Sequence, residues 1–503
     1  MSKCVTLAQL KSLLKHSVQA SDQEVLLGEL HSDTRLLQQG DVFVAIQAHG
    51  GHRLDFLAQA LQRQPSVILS SQPLSAEQET LLAAHQAQFA CVFVYHEALE
   101  TELAQVAAAF YAQPSQQLKV IGITGTNGKT STANYLAQLL ELLGHKTALI
   151  GTLGIGQVGA LVDMGNTTPD VVRLHRYLYE FWQQGFEYVV MEVSSHAIVE
   201  QRIAQVAFDL VALTQVTQDH LDFHGSEAAY RQAKAELFLS YPSNVQLLNL
   251  NDSLGQSLYQ RLQEQGRCVF AYQSCAQLTD SDDASLLRAA VAIHSTGLSL
   301  RIQDTTVSLP LLGRFNADNA LCALQSLHAL GFDVKDVLPL AAQLKPVLGR
   351  MEIVATAPNV VIDFAHTEDA LAQVLQAMRQ HQAQTGQLWV VFGCGGDRDA
   401  SKRPRMGAVA QAYADRVVIT SDNPRSESPE QIMAQICQGI STLDDTVIES
   451  NRHKAIEYAL STLKPEDSLL IAGKGHEAYQ EIQGVKYPYS DFAVVAEYRQ
   501  AQK

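Results

Sequence analysis

Residues 123–131, Ile-Thr-Gly-Thr-Asn-Gly-Lys-Thr-Ser, carry the sharpest chemical signal in the chain. An apolar run at 119–124 precedes them and a helical stretch at 132–144 follows. A glycine-rich turn between strand and helix lets backbone N–H groups wrap a phosphate where the helix dipole favours negative charge. Lys129 would neutralise the β/γ-phosphates and the Thr130 hydroxyl would sit on Mg2+. The G-x4-G-K-[ST] template asks for glycine at position 123, where isoleucine stands. The plain alternative is a glycine-rich turn without a ligand.

Five more polar clusters each follow an apolar run: MEVSSHA at 191–197, TQDHLDFHG at 217–225, CGGDRD at 394–399, SDNPR at 421–425 and GKGHE at 473–477. In open α/β sheets, ligands bind at the carboxyl ends of strands. Two regions then present functional edges, and a cleft between them is the expected place for catalysis. Glu192 and His220 are candidate Mg2+ ligands, the histidine the weaker because magnesium prefers oxygen. A turn-capping carboxylate and a hydrogen-bonded loop histidine are the bland alternatives. Lys234 borders an apolar stripe of Tyr230, Ala233 and Leu237 on a predicted helix. Held there, its pKa would fall and the neutral amine could react; snorkelling to solvent is the alternative. Arg398 and Arg425 sit in strand-end loops, where a planar guanidinium binds carboxylates bidentately. Surface ion pairs are the alternative for both.

These groups need rigid elements behind them. Runs at 41–46, 66–71 and 91–95 read as strands, with helices at 54–63 and 104–111 and a polar linker at 112–117. Apolar runs without strict alternation at 119–124, 188–193, 210–216 and 245–251 read as parallel strands covered on both faces. The pattern changes to alternating strands over 271–309, and a helix follows at 315–330. Runs at 360–366, 388–393, 416–420 and 468–473 repeat the α/β pattern. With 503 residues, three α/β domains are expected.

Composition limits the rest. The chain has 36 basic and 52 acidic residues, a net charge of −16, which argues against binding nucleic acid through its phosphates. No apolar run reaches the roughly 18 residues of a membrane span. Seven cysteines without a CxxC pair argue against a zinc ribbon or a disulfide framework. A cytoplasmic protein is expected.

TGTNGKT, EVSSH, DHLD with the later Lys234, GRFNADNA, GRME, DFAHT, GDRD-x-x-KRP, DNPR and GKGHE occur in this order. Together they resemble the Mur ligase family, and within it the branch that adds meso-diaminopimelate to UDP-N-acetylmuramoyl-L-alanyl-D-glutamate. The resemblance spans positions 32–477. It implies a UDP-binding α/β domain at 1–113, a central P-loop ATPase domain with a mainly parallel sheet at 114–345 and a Rossmann-like domain for the amino acid at 346–503. It implies ATP-driven amide formation through an acyl phosphate, with Mg2+ as cofactor. Small-molecule partners (ATP, the UDP-muramoyl dipeptide and meso-diaminopimelate), neither nucleic acid nor membrane, and a monomeric enzyme are expected. A folylpolyglutamate-type ligase and a P-loop ATPase switch are the competing readings.

Residue by residue, the resemblance assigns Gly125, Thr126, Asn127, Gly128, Lys129, Thr130 and Ser131 to the ATP phosphates. Asn319 would meet adenine, and Arg350 and Asp363 would reach ATP from the C-terminal domain. Thr130 and Glu192 would hold one Mg2+ and His220 a second, which a carbamylated Lys234 would support. The UDP-peptide positions are Ser32, Thr34, His49, Gly50, Gly51, Asn166, Thr167, Thr168, Ser194, Glu200 and Arg202. Those for diaminopimelate are Arg398, Asn423, Pro424, Arg425, Ser426, Gly473 and Glu477, with Arg425 on the distal carboxylate that lysine lacks. Glu200 stands in place of glutamine, Phe364 in place of tyrosine, and Ser131 in place of a second threonine.

Overall fold

The computed structural model describes residues 5–48, 50–217, 219–278, 283–294, 297–382 and 385–502. Near the N-terminus, strands Leu30–His31, Val42–Ala45, Val67–Ser70 and Val92–Tyr95 pair in parallel in that order. The second and third are buried along their whole length, which explains their unbroken apolar composition. The helix expected at 54–63 is a 3-10 turn, Arg53–Phe56, running into a short helix, Leu57–Leu61. His52 accepts the Leu54 N–H at that start.

The chain divides into two compact units. The first contains Met1–Lys129, Leu140–Leu248 and Asp252–Phe270. At its centre lies the strand Lys119–Thr124, paired in parallel with Tyr188–Glu192 on one side and Phe208–Leu213 on the other. Thr147–Gly151 adds beyond the former and Ser243–Asn249 beyond the latter, both parallel. The strands Thr147–Gly151, Gly154–Gln157 and Ala160–Val162 were not expected; the second has two glycines in four residues and the third is only three residues long. Val172, on the helix Val171–Gln183, joins the core of the N-terminal sheet. On the same helix, Arg176 Nη1 donates to His31 Nε2 at 3.2 Å.

The second unit contains Thr130–Leu139, Asn249–Asn251 and Ala271–Lys503. The antiparallel strands Leu286–His294, Gly297–Ile302 and Thr305–Leu309 lead into the helix Arg314–Ala329. A six-stranded sheet follows, in the order Glu352–Thr356, Asn359–Asp363, Ser468–Ala472, Leu388–Phe392, Arg416–Ile419 and Thr446–Ile448. Its first strand is antiparallel and the rest are parallel. Successive residues feed opposite cores, Val361, Val390 and Leu470 on one face and Ile362, Val391 and Ile471 on the other. That two-sided burial is the Rossmann-like arrangement expected of apolar parallel strands. Among the described residues, no helix is long and apolar enough to cross a membrane.

Candidate functional site

In the first unit the functional edge is the carboxyl end of the central strands. Glu192 and Ile123 are register partners, as are Leu213 and Thr124, so the polar segments that follow emerge side by side. Gly125 has φ +153°, and a Cβ there would collide with Thr214 Oγ1 and crowd the Gln215 backbone. Only glycine fits that close approach. The Thr214 hydroxyl donates to Asn127 O at 2.6 Å and to Thr124 O at 3.1 Å, fastening the loop from below.

Two lysines converge on this loop. Lys129 Nζ donates to Gly125 O and Thr126 O, both at 2.8 Å. Lys234 Nζ donates to the same Gly125 O at 2.8 Å and lies 4.7 Å from the Tyr230 ring centroid. The helix Glu227–Leu239, capped by Ser226, buries Tyr230, Ala233 and Leu237 and buries Lys234 with them, at 1% exposure. The lysine therefore does not snorkel to solvent. Burial first, and the neighbouring Lys129 second, drive its pKa well below the usual lysine value.

Glu192 is buried, and its carboxylate accepts the Thr152 N–H at 2.8 Å and the Thr152 hydroxyl at 3.2 Å. A side chain at Gly151 would occupy the space of that carboxylate. Around it the structure gathers several UDP-peptide positions. The Thr152 and Thr167 hydroxyls hydrogen-bond at 3.1 Å, and Thr168 Oγ1 donates to Glu192 O at 2.9 Å. Ser194 N donates to Thr168 Oγ1, and Arg202 reaches Thr168 O at 3.1 Å and Glu200 Oε2 at 2.7 Å. Asn166 is exposed nearby in sequence. Ser32, Thr34, Gly50 and Gly51 lie in the N-terminal region, Thr34 on Gln59 at 3.3 Å and both glycines at positive φ. His49 lies outside the described residues.

His220 takes a left-handed conformation, φ +51°, with its side chain about half exposed and Nε2 3.4 Å from Asp219 Oδ2. It stacks edge-on with His196 at 4.8 Å. Burial, then the neighbouring His220 and His224, lower the His196 pKa. Among the described residues, no group of three or more His, Cys, Asp or Glu converges to hold a metal ion. Magnesium held by Glu192, His220, a threonine hydroxyl and a modified lysine would not form such a group.

In the second unit, Asn319 is buried on the helix Arg314–Ala329, where it accepts from Thr132 Oγ1 at 3.3 Å and donates to Asn316 Oδ1 at 3.0 Å. Asp363 ends its strand and accepts the Met351 and Ala365 N–H groups, each at 2.7 Å. Burial raises its pKa, and Arg350 opposes that rise. The Arg350 guanidinium lies 4.6 Å from the Phe364 ring centroid.

The remaining positions meet at the carboxyl end of the C-terminal sheet. Asn423 Nδ2 donates to Glu477 Oε2 at 2.8 Å. Arg425, φ +50°, donates to Gly396 O at 2.7 Å and pairs with Glu481 Oε2 at 3.3 Å. Ser426 Oγ donates to Asp397 Oδ1, Arg398 is exposed in the facing loop, and Gly473 turns at φ +112°. A side chain at Gly396 would strike Pro424 O, so the two loops require that glycine.

Sequence reasoning missed four supports. Lys474 and Arg403 stand inside quoted motifs, but neither drew attention. Arg403 is 1% exposed and forks onto Glu427 at 2.8 and 2.9 Å. Arg452 and Asp491 lie outside every motif, each opening a helix. They form a fully buried bidentate pair, both bonds 2.8 Å, and Arg452 also donates to Ala472 O at 2.9 Å. Only a charged residue inside an apolar helix pattern could have marked them.

Residues 123–327 match the sequence model of the Mur ligase middle domain, and residues 349–475 that of the Mur ligase glutamate ligase domain. The chain is 40% identical over 502 residues to a UDP-N-acetylmuramoyl-L-alanyl-D-glutamate--2,6-diaminopimelate ligase of Xanthomonas campestris, covering 99% of this chain and 98% of that protein. A ligase of the same name from Pseudomonas aeruginosa is 39% identical, with 94% of each chain covered. A solved structure of a ligase of that name superimposes with a TM-score of 0.67 at 29% identity over 99% of both chains. A folylpolyglutamate synthase of Mycobacterium tuberculosis shares the fold at TM-score 0.57 and 20% identity, covering 74% of this chain and 91% of that one.

Proposed function

The chain belongs to the Mur ligase family, and on that premise we propose that it joins meso-diaminopimelate to UDP-N-acetylmuramoyl-L-alanyl-D-glutamate at the expense of ATP. The observation that carries this reading is whole-length identity of about 40% to ligases named for that reaction, in a chain that keeps Arg425 at its amino-acid edge. Residues 1–113 would receive the UDP moiety, 114–345 the ATP, and 346–503 the amino acid.

The chemistry follows from the charges. The D-glutamate carboxylate attacks the γ-phosphorus of ATP, giving an acyl phosphate and ADP. The neutral amine of diaminopimelate then adds to the acyl carbon, loses its proton, and phosphate departs. Carboxylate and triphosphate repel, so the first step needs fixed cations. Lys129, set by the Gly125 and Thr126 carbonyls, supplies one. Backbone N–H groups of 125–131 would cradle the phosphates. Glu192 presents a buried carboxylate, a hard donor that fits Mg2+, and with the Thr130 hydroxyl would hold one ion; His220 would hold a second, supported by a carbamate on Lys234. When bound, those ions would spread the charge of the transferring phosphoryl group. Lys234 suits carbamylation because its burial favours the neutral amine, the form that adds CO2. Thr167, Thr168, Ser194 and Arg202 would hold the muramoyl peptide. Arg425, with Arg398 and Asn423, would take the distal carboxylate, and Glu477 the distal ammonium.

A phosphate-release assay tests the reading. Release should require both the UDP-muramoyl dipeptide and meso-diaminopimelate. Equal turnover with L-lysine would sink the assigned specificity, and release without any amine would favour the ATPase switch.

A further inference from the structure

Lys474 has no assigned task, yet it is the most deeply buried cation at the amino-acid edge, with 0% exposure. Its Nζ donates to Asn423 Oδ1 and to Glu477 Oε2, both at 3.0 Å. It therefore bridges two loops, one following the strand Arg416–Ile419 and the other following Ser468–Ala472. Asn423 Nδ2 donates to the same Glu477 oxygen at 2.8 Å. Asn423 Oδ1 also accepts the Glu481 N–H at 2.9 Å, which ties the hairpin Tyr479–Pro488 to the cluster.

One consequence is geometric. Two donors occupy Oε2 of Glu477, and this fixes the plane of its carboxylate and directs Oε1 away from them. A second is electrostatic. The glutamate, about a fifth exposed, is paired with the buried Lys474 ammonium at 3.0 Å and held in place without a flexible surface partner. A carboxylate so fixed is an acceptor for an ammonium. The distal carbon of diaminopimelate carries both an ammonium and a carboxylate, and Arg425 serves the latter.

We propose that Lys474 is the positioning residue that aims Glu477 at the distal ammonium of the amino-acid substrate, and so sets selectivity for a diamino diacid over an amino diacid. The proposal rests on the ligase reading above. It differs from the role of Arg425, which reads the distal carboxylate.

The probe is 2-aminopimelate, which keeps both carboxylates but lacks the distal amino group. Wild-type enzyme should prefer meso-diaminopimelate by at least tenfold in kcat/KM. Lys474→Met should raise KM for meso-diaminopimelate about tenfold, leave KM for ATP unchanged and erase the preference over 2-aminopimelate. Glu477→Gln should behave alike, and the double variant should be no worse than either single one. Should Lys474→Met fail to fold, Lys474→Leu, which likewise removes the donor, is read on the same two substrates. A retained tenfold preference in the folded variant overturns the proposal, as does full additivity in the double variant. Wild-type enzyme that releases phosphate without either diacid would instead overturn the ligase reading itself.

Discussion

At the edge built on the strand Lys119–Thr124, Lys129 and Lys234 are held by backbone carbonyls, both reaching Gly125 O. At the edge built on the C-terminal sheet, four buried or half-buried cations are matched with carboxylates, while Lys402 donates to His366 O at 2.8 Å. Arg403 pairs with Glu427, Arg425 with Glu481, Lys474 with Glu477 and Arg452 with Asp491. Carbonyl dipoles orient the Lys129 cation while leaving its charge to be met by an incoming anion, which would suit a triphosphate, whereas burial favours the neutral form of Lys234. A surface already neutral in pairs suits a zwitterion, which brings both charges and can exchange into existing pairs without burying net charge. On the proposed reading, the same kind of parallel-sheet edge would serve two ligand classes through the partners given to its cations.

The largest effect expected from breaking this contrast is at Lys234. Lys234→Ala should cost about 10³-fold in kcat, or about 4 kcal/mol, because it removes both the bond to Gly125 and the carbamate support. Acetate, a carboxylate small enough for the vacated space, should restore part of the activity, and phosphate release measures both. Activity within threefold of wild type would mean that the carbonyl-held lysine is structural only.

The matched edge should respond differently. Arg425→Ala should raise KM for meso-diaminopimelate about 100-fold, near 2.7 kcal/mol, with KM for ATP unchanged, since a bidentate carboxylate site is lost. Glu481 would be left without its guanidinium partner, so part of the loss belongs to that pair. Equal losses for both substrates would erase the distinction between the edges.

Acid and base should also separate them. Lys234 is a base whose folded pKa lies well below its usual value, so the unfolded chain binds the extra proton. Stability therefore falls as pH drops from the ordinary lysine range toward the folded pKa, and rises again with pH. In CO2-free buffer, the Tm of the wild type should climb between pH 7 and 9, and Lys234→Met should flatten that climb. Glu427 acts in the same direction but in a lower window. Its hydrogen bonds from Arg403 hold it at about 2, so its contribution is complete above its ordinary 4.5 and is lost only toward pH 2. Glu427→Gln should leave the slope between pH 7 and 9 untouched. An equal slope in wild type and Lys234→Met would contradict the buried neutral amine.

Much of this was legible in the sequence, for identifiable reasons. Strands buried on both faces cannot alternate, and the runs at 119–124, 388–393 and 468–473 showed it. Loops that bind anions need glycine and polar residues at fixed spacing, and Gly125 to Ser131 showed that. The partners of those residues were hidden. Nothing local links Lys234 to Gly125, 109 positions away, or Arg452 to Asp491, 39 positions away. Periodicity placed Lys234 beside an apolar stripe, but only tertiary packing decided that it stays inside. The hairpin after Thr147–Gly151, Gly154–Gln157 with Ala160–Val162, was too short and glycine-rich to register as strands.

The smallest effect expected concerns a position where this chain departs from its family pattern. Glu200 accepts Arg202 Nε, and both side chains are about a quarter exposed, so the pair contributes about 1 kcal/mol or less. In the first unit's proposed substrate cluster it copies the matched logic of the second, giving an arginine its own carboxylate. Glu200→Gln keeps an acceptor for Arg202 but removes the charge, leaving the guanidinium more available to an anionic substrate. KM for the UDP-muramoyl dipeptide should fall two- to fivefold, with KM for meso-diaminopimelate unchanged. If it rises instead, Glu200 aims Arg202 more than it neutralises it, and matching charges is then a way of orienting cations at both edges rather than a mark of the zwitterion site alone.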